Sequence, residues 1–426
     1  MRVLVHLLFL GLASSFIASA FPTKPLVKTT PQVEGLRVWT NSKNKDLTAS
    51  LVKITRVKPD KKNNKPARTE VTFKRKSGKK ITFDLELLSK AHQQELRSWI
   101  RSNPTGIAKP TPPYSWPSSH NGVNSPKVEY VKFDDNRSAH LFRTAHFDFY
   151  SDEKLSDATI SKCVAVFDSI VEAINKFPME MDTIPSGDRP RFQAILVSTR
   201  QKYAQMGGSK NSGGFFSPSD NLTVIPYSSL GIVKKGSNWV FDGKKRSFET
   251  LVHELAHHST SHWWGMPPWF EEGLAEYMAA MPYQSGRFLF TNPGAAVSAN
   301  IRKIKGYMVG NQVMPKGVYQ MRNPEILFKV SRGEWNGSMK DRVTSSRNYS
   351  SSMILMYFFM HEDGKGDGHH LIQWMHEHRA AFLSRRNGDL SAIFKKHIIR
   401  GRTYKELEQE IQDAMRKKGT RLAFSR

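Results

Sequence analysis

A chain of 426 residues that is 38% hydrophobic and 24% charged is too long for one small core and too apolar to stay unfolded. Its 64 Lys and Arg against 38 Asp and Glu leave a net charge of +26, which suits polyanions and works against basic partners. A single cysteine, Cys163, excludes an internal disulfide framework and leaves stability to packed cores.

The chain opens with Met1-Arg2, an apolar run from Val3 to Ile17, and Ala18-Ser19-Ala20. That is the layout of a secretory signal peptide over residues 1–20. The run falls short of the ~20 residues of a spanning helix, and no later window is apolar enough to cross a bilayer. The expectation is an exported protein, periplasmic or extracellular, with no transmembrane segment after cleavage. Residues 21–34 carry Pro and Thr without hydrophobic periodicity and read as a flexible lead-in.

From Leu36 the pattern becomes short strands, at 36–40, 48–55, 69–74 and 80–85, separated by Asn-, Lys- and Gly-rich turns. A helix follows from Ser89, its N-cap candidate, to Arg101, with Leu96, Trp99 and Ile100 facing inward. Together these predict a small β-barrel closed by a helix. Residues 21–103 hold 20 Lys and Arg against 7 Asp and Glu, so this region is expected to bind an anionic envelope polymer or another polyanion. A solvated basic surface without a partner is the alternative. Arg37-Val38-Trp39-Thr40, the Phe73 to Lys79 turn and the closing Leu87 to Gln93 resemble the Sla-one homology domain, an SH3-like module. The resemblance spans about residues 35–101, within a unit placed at 35–102, and implies a non-catalytic binding module.

Residues 103–127 hold Pro104, Pro110, Pro112, Pro113, Pro117 and Pro126 and read as a linker. The remainder, 128–426, is large enough for a catalytic domain. Strands are expected at 146–150 and 192–197, and a helix at 157–177 with Ile160, Val164, Phe167, Ile170, Val171 and Ile174 on one face. Cys163 lies in that helix and reads as a small buried apolar residue. Strands at 213–216 and 222–227 could pair around Ser217-Pro218-Ser219-Asp220. After Ser247, a possible N-cap, the chain turns mainly helical, so the fold class is α+β.

The chemistry centres on His253-Glu254-Leu255-Ala256-His257. Histidines four apart share one helical face, where two neutral imidazoles can hold one zinc ion and Glu254 can reach a water beside it. Zinc needs a third protein ligand, and Trp269-Phe270-Glu271-Glu272-Gly273-Leu274-Ala275-Glu276-Tyr277 offers one on a second helix. On residue types alone, Glu271 and Glu272 compete for that role. Glu276, one turn beyond Glu272, can accept the second ring N–H of a ligand histidine.

The two segments together resemble the gluzincin metallopeptidases, and over about residues 140–380 the peptidase-MA-like group of bacterial proteins. The resemblance implies a thermolysin-like domain with His253, His257 and Glu272 as metal ligands and Glu254 as general base. Zinc would acidify a water, and Glu254 would take its proton during attack on a peptide carbonyl. Asn348 to Leu355 resembles the helix that carries the oxyanion-binding tyrosine, which gives Tyr349 that role, with Ser352 standing where the family has glycine. A packing tyrosine is the other reading. Gly213, Gly214 and Phe215 resemble the edge strand on which gluzincins lay substrate, although a β-bulge explains the glycine pair as well.

Two features depart from the aminopeptidases of that family. Only 14 residues separate His257 from Glu272, and the Gly-x-Met-Glu-Asn segment is missing. The remaining histidines, among them His258, His262, His369, His370, His376 and His378, read as surface residues. The function expected is therefore an exported zinc metallopeptidase acting on peptide or protein substrates. A non-catalytic envelope-binding protein with a structural zinc, and a zinc amidase acting on a cell-wall substrate, stand as alternatives.

Overall fold

A computed structural model describes residues 36–57, 68–102, 114–181, 183, 185, 189–209, 212–245, 248–263, 265–303, 308–309, 312–313, 317–383 and 389–425. The expected signal peptide, the lead-in, the Lys58 to Lys65 turn, the first part of the linker and Ser247 lie outside these residues.

The first unit is an antiparallel sheet of β1 (Arg37–Thr40), β2 (Asp46–Val57), β3 (Arg68–Arg75) and β4 (Lys80–Asp84), in that order. Its core is Trp39, Ala49, Ile54, Val71 and Phe73. The fully buried Trp39 indole donates to the Ala49 carbonyl at 2.9 Å, so its polar end is satisfied. Helix α1 (Lys90–Ser102) adds Leu96 and Trp99 to this core. The expected barrel is an open sheet among the described residues, where β1 and β4 do not pair. The physical reason is local: after β4 the chain turns through a 3-10 segment, Leu85–Leu87, capped by the Asp84 side chain, and enters α1 instead of a fifth strand.

The second sheet runs β5-β6-β7-β8-β10-β9, made of β5 (Glu129–Asp134), β6 (Ala139–Arg143), β7 (Phe147–Ser151), β8 (Phe192–Val197), β9 (Phe215–Ser217) and β10 (Leu222–Pro226). Strands β7, β8 and β10 are parallel, and the others pair antiparallel. Helix α2 (Asp157–Asn175) connects β7 to β8 and starts where the Ser156 hydroxyl accepts the Thr159 amide. Its six predicted inward residues are all buried, as is the free Cys163. Helix α3 (Arg200–Gln205) contributes Tyr203 to a smaller cluster with Leu141, Tyr150, Ile195 and Val224.

Part of the stretch expected to be a linker is strapped to this domain. The Trp116 indole donates to the Asp367 carbonyl at 3.1 Å, Gln373 donates to the Tyr114 hydroxyl at 2.8 Å, and the Phe288 amide donates to His120 Nδ1 at 3.1 Å. Two aromatic side chains packed on the main core outweigh the freedom that the prolines alone would suggest.

After the short α4 (Tyr227–Leu230) the helical half follows. It includes α5 (Phe248–Thr260), α6 (Pro268–Ala280), α7 (Pro293–Lys303), α8 (Pro324–Lys329), α9 (Arg332–Ser338), α10 (Arg342–His361), α11 (His369–Leu383), α12 (Leu390–Phe394) and α13 (Tyr404–Lys417). A parallel pair, Val318–Arg322 with Arg421–Ser425, joins the last strand to the segment before α8. Pro268 opens α6, where its missing N–H costs nothing. Helix α10 begins six residues before Asn348, because Asp341 caps it by accepting the Val343 and Thr344 amides. No helix among the described residues is long and apolar enough to cross a membrane.

Helices α6 and α10 meet where Gly273 faces Ser352. A Cβ at residue 273 would lie 2.5 Å from the Ser352 carbonyl oxygen, a backbone atom that cannot swing away. Gly273→Ala is therefore expected to destabilise the fold by about 1–3 kcal/mol, read as a lowered unfolding midpoint.

Candidate metal centre

Helices α5 and α6 bring three donors to one point. His257 Nε2 lies 3.0 Å from His253 Nε2 and 3.0 Å from Glu272 Oε2, and His253 Nε2 lies 3.4 Å from that same oxygen. Among the described residues, His253, His257 and Glu272 are the group whose ligand atoms converge in a way that could hold a metal ion. The helical pitch puts the imidazoles one turn apart, and the turn through Gly265 (φ +92°) returns the chain so that α6 lies beside α5.

The neighbours of the cluster set its charge. His253 Nδ1 is 3.0 Å from Glu276 Oε1, which orients the ring. Burial opposes ionisation of Glu272, but His257 and His253 beside it hold its carboxyl down at about 2. Burial opposes ionisation of Glu254 as well, and there it prevails over the pull of His253 and His257, so the pKa of Glu254 is raised. Glu254 Oε2 accepts the Phe216 amide at 3.0 Å, so the edge strand β9 fixes this carboxylate.

Tyr349 stands edge-on to His253, with ring centres 5.6 Å apart, and edge-on to Trp335 at 5.3 Å. Its hydroxyl points to Met339 Sδ at 3.7 Å. Burial, reinforced by the charges of Glu272, Glu276 and Glu254, pushes its pKa far up, so the phenol keeps its proton.

Two contributors were not visible in the sequence. Arg332, the first residue of α9, donates to Glu272 Oε1 at 2.9 Å and also pairs with Glu271. Glu272 thus turns one oxygen to the histidines and the other to a guanidinium, while Glu271 is taken up by Arg332. Phe216 is the second: its amide meets Glu254 and its ring stacks on His258. The nearest local signals were Ser331 and Glu334, whose capping box starts α9 at Arg332, and the strand alternation at 215–217.

The residues expected to line a substrate strand sit differently. Gly213 and Gly214 precede β9 and are not part of it. Gly214 fits because a Cβ there would press on Ile225 and the Val224 carbonyl oxygen at 3.3 Å. Phe215 packs with Tyr203 in the smaller cluster, on the face opposite the Phe216 side chain by strand alternation.

The surface reading of the other histidines fails for five of them. His120, His258, His262, His378 and His397 are buried. His258 shares a 2.8 Å hydrogen bond with the Thr223 hydroxyl, and burial lowers its pKa to about 3. His378 Nε2 lies 3.2 Å from the Gly265 carbonyl oxygen. These side chains pack between elements and take no part in the cluster.

The fold and site define an α+β protein with a buried His–His–Glu cluster and a neighbouring carboxylate. No protein-family model matches the sequence, and no curated protein matches it.

Proposed function

We propose that the protein is a zinc-dependent hydrolase that cleaves peptide bonds, with His253, His257 and Glu272 as ligands and Glu254 as general base. The observation that carries this reading is the donor spacing. A tetrahedral ion bound at ~2.0–2.1 Å holds its donors roughly 3.3 Å apart, and the three separations here are 3.0, 3.0 and 3.4 Å. The gluzincin resemblance assigns the same ligands independently of any geometry.

When bound, zinc would polarise a substrate carbonyl and acidify a water. Glu254, one residue along α5 from His253 and anchored by the Phe216 amide, takes the proton and passes it to the leaving amine. Its burial raises its proton affinity in the direction a base at neutral pH requires. Tyr349, protonated and edge-on to His253, would become a donor for the oxygen that gains charge by turning its hydroxyl away from Met339 Sδ. Glu276 holds His253 through its second ring nitrogen.

The test is metal analysis of the purified chain together with cleavage of a peptide library. One zinc per chain is expected, with cleavage lost to a chelator and restored by zinc. Failure to take up any divalent ion would end this reading, whereas cleavage confined to cell-wall amides would change only the substrate.

Arg332 gives a further prediction. By occupying Glu272 Oε1 it leaves one oxygen for the ion. Arg332→Gln is expected to weaken zinc binding by about 10–100-fold, the size typical of lost outer partners, measured by chelator competition. Arg332→Lys should recover part of the loss.

A further inference from the structure

We propose that the turn end of the first sheet is a docking surface for a flexible anionic polysaccharide. The inference stands on the N-terminal unit and is independent of the metal centre.

The register places the charges. Thr40 pairs with Asp46 and Ala49 pairs with Arg75, so the β1–β2 turn and the β3–β4 turn lie at the same end of the sheet. The first turn carries Lys43 and Lys45; the second hairpin carries Lys74, Arg75, Lys76, Lys79 and Lys80. All seven are exposed, and none forms a salt bridge among the described residues. The carboxylates of this hairpin, Glu70 and Asp84, face each other further along the strands. Charge is therefore segregated along a single hairpin.

That segregation is unfavourable in isolation. Lys74 stands directly opposite Lys80, and like charges across an antiparallel pair destabilise it. The mounting is nonetheless stiff. The Arg75 amide donates to the Lys79 carbonyl at 2.9 Å and the Gly78 amide to the Arg75 carbonyl at 2.8 Å, with Gly78 at φ +83°. In the other turn, Asn41 Oδ1 accepts the Lys43 and Lys45 amides at 2.9 and 2.8 Å. A concentrated cationic field on two fixed turns is an anion-binding surface.

The residue types choose among polyanions. Six of the seven cations are lysines, which act as point charges without the bidentate fork that Arg offers to phosphate. The rings of this unit are turned inward, Trp39 and Phe73 being fully buried, so the turn end offers no stacking platform for unpaired bases. A sugar polymer bearing carboxylates or sulfates asks only for charge.

The experiment measures binding of the full chain to heparin of defined length, and to a single-stranded oligonucleotide of equal charge, between 50 and 200 mM salt. Heparin is expected to bind more tightly, with affinity falling on the order of 10³-fold over that range if all seven cations engage, by analogy with phosphate contacts. The variant Lys74→Glu/Lys76→Glu/Lys79→Glu should bind heparin about 10–100-fold more weakly and with a shallower salt slope. Lys365→Glu/Lys395→Glu/Lys417→Glu, an equal charge change on exposed lysines of the helical half, should bind like the parent. If the charge-reversed variant does not fold, Lys→Gln at the same three positions replaces it. Equal losses in both triple variants, or no binding to heparin at 50 mM salt, would overturn the surface. Tighter binding of the oligonucleotide would overturn the choice of polymer.

Discussion

Glu254→Gln is expected to keep zinc in place and to lower kcat/KM for peptide cleavage by about 10²–10⁴-fold, the range a positioned general base contributes. The change is nearly isosteric, so the packing around α5 is retained. The Gln oxygen can still accept the Phe216 amide that now binds Glu254 Oε2. What disappears is the capacity to take a proton. The buried carboxylate is also costly to ionise, as its raised pKa indicates, so its removal should not reduce the stability of the metal-free protein. Zinc stoichiometry, unfolding midpoint and kcat/KM separate the outcomes. Full activity in the variant would remove Glu254 from the mechanism. Loss of zinc together with activity would make it a determinant of the site's structure.

Local spacing carried most of what the sequence revealed about this site. His253 and His257 are one helical turn apart, so their convergence needs only that α5 be a helix. Ile160, Val164 and Phe167 revealed the buried face of α2 in the same way. Glu272 needed the wording of a second helix, since periodicity alone left it level with Glu271. Arg332 was out of reach: it lies 60 residues beyond Glu272 in the chain, and its approach depends on how α9 packs against α6. His258 misled for a related reason. Its polarity suggests solvent, but it lies beneath the second sheet, where the Thr223 hydroxyl satisfies one ring nitrogen. In each of these cases the missing information was a contact between residues distant in the chain.

His257→Ala provides the sharpest measurement of the cluster because it tests the metal without testing catalysis. His257 is only half-buried, whereas His253 is buried against Glu276 and Tyr349, so truncation at 257 leaves the smaller cavity. Structural zinc sites with four ligands are worth about 10–16 kcal/mol, or roughly 3–4 per ligand, and loss of one should weaken binding by on the order of 10²–10³-fold. The effect is readable as stability. Zinc at 1,000 times the parent Kd should stabilise the parent by about 4 kcal/mol, and the same concentration should give the variant only about 0.4–1.4 kcal/mol. Glu272 would keep His253 and Arg332 as partners, so the metal-free variant should unfold close to the metal-free parent. If zinc stabilises both proteins equally, the ion binds elsewhere and the convergence of these side chains is only a buried polar network. If it stabilises the parent alone, His257 is a ligand of the ion.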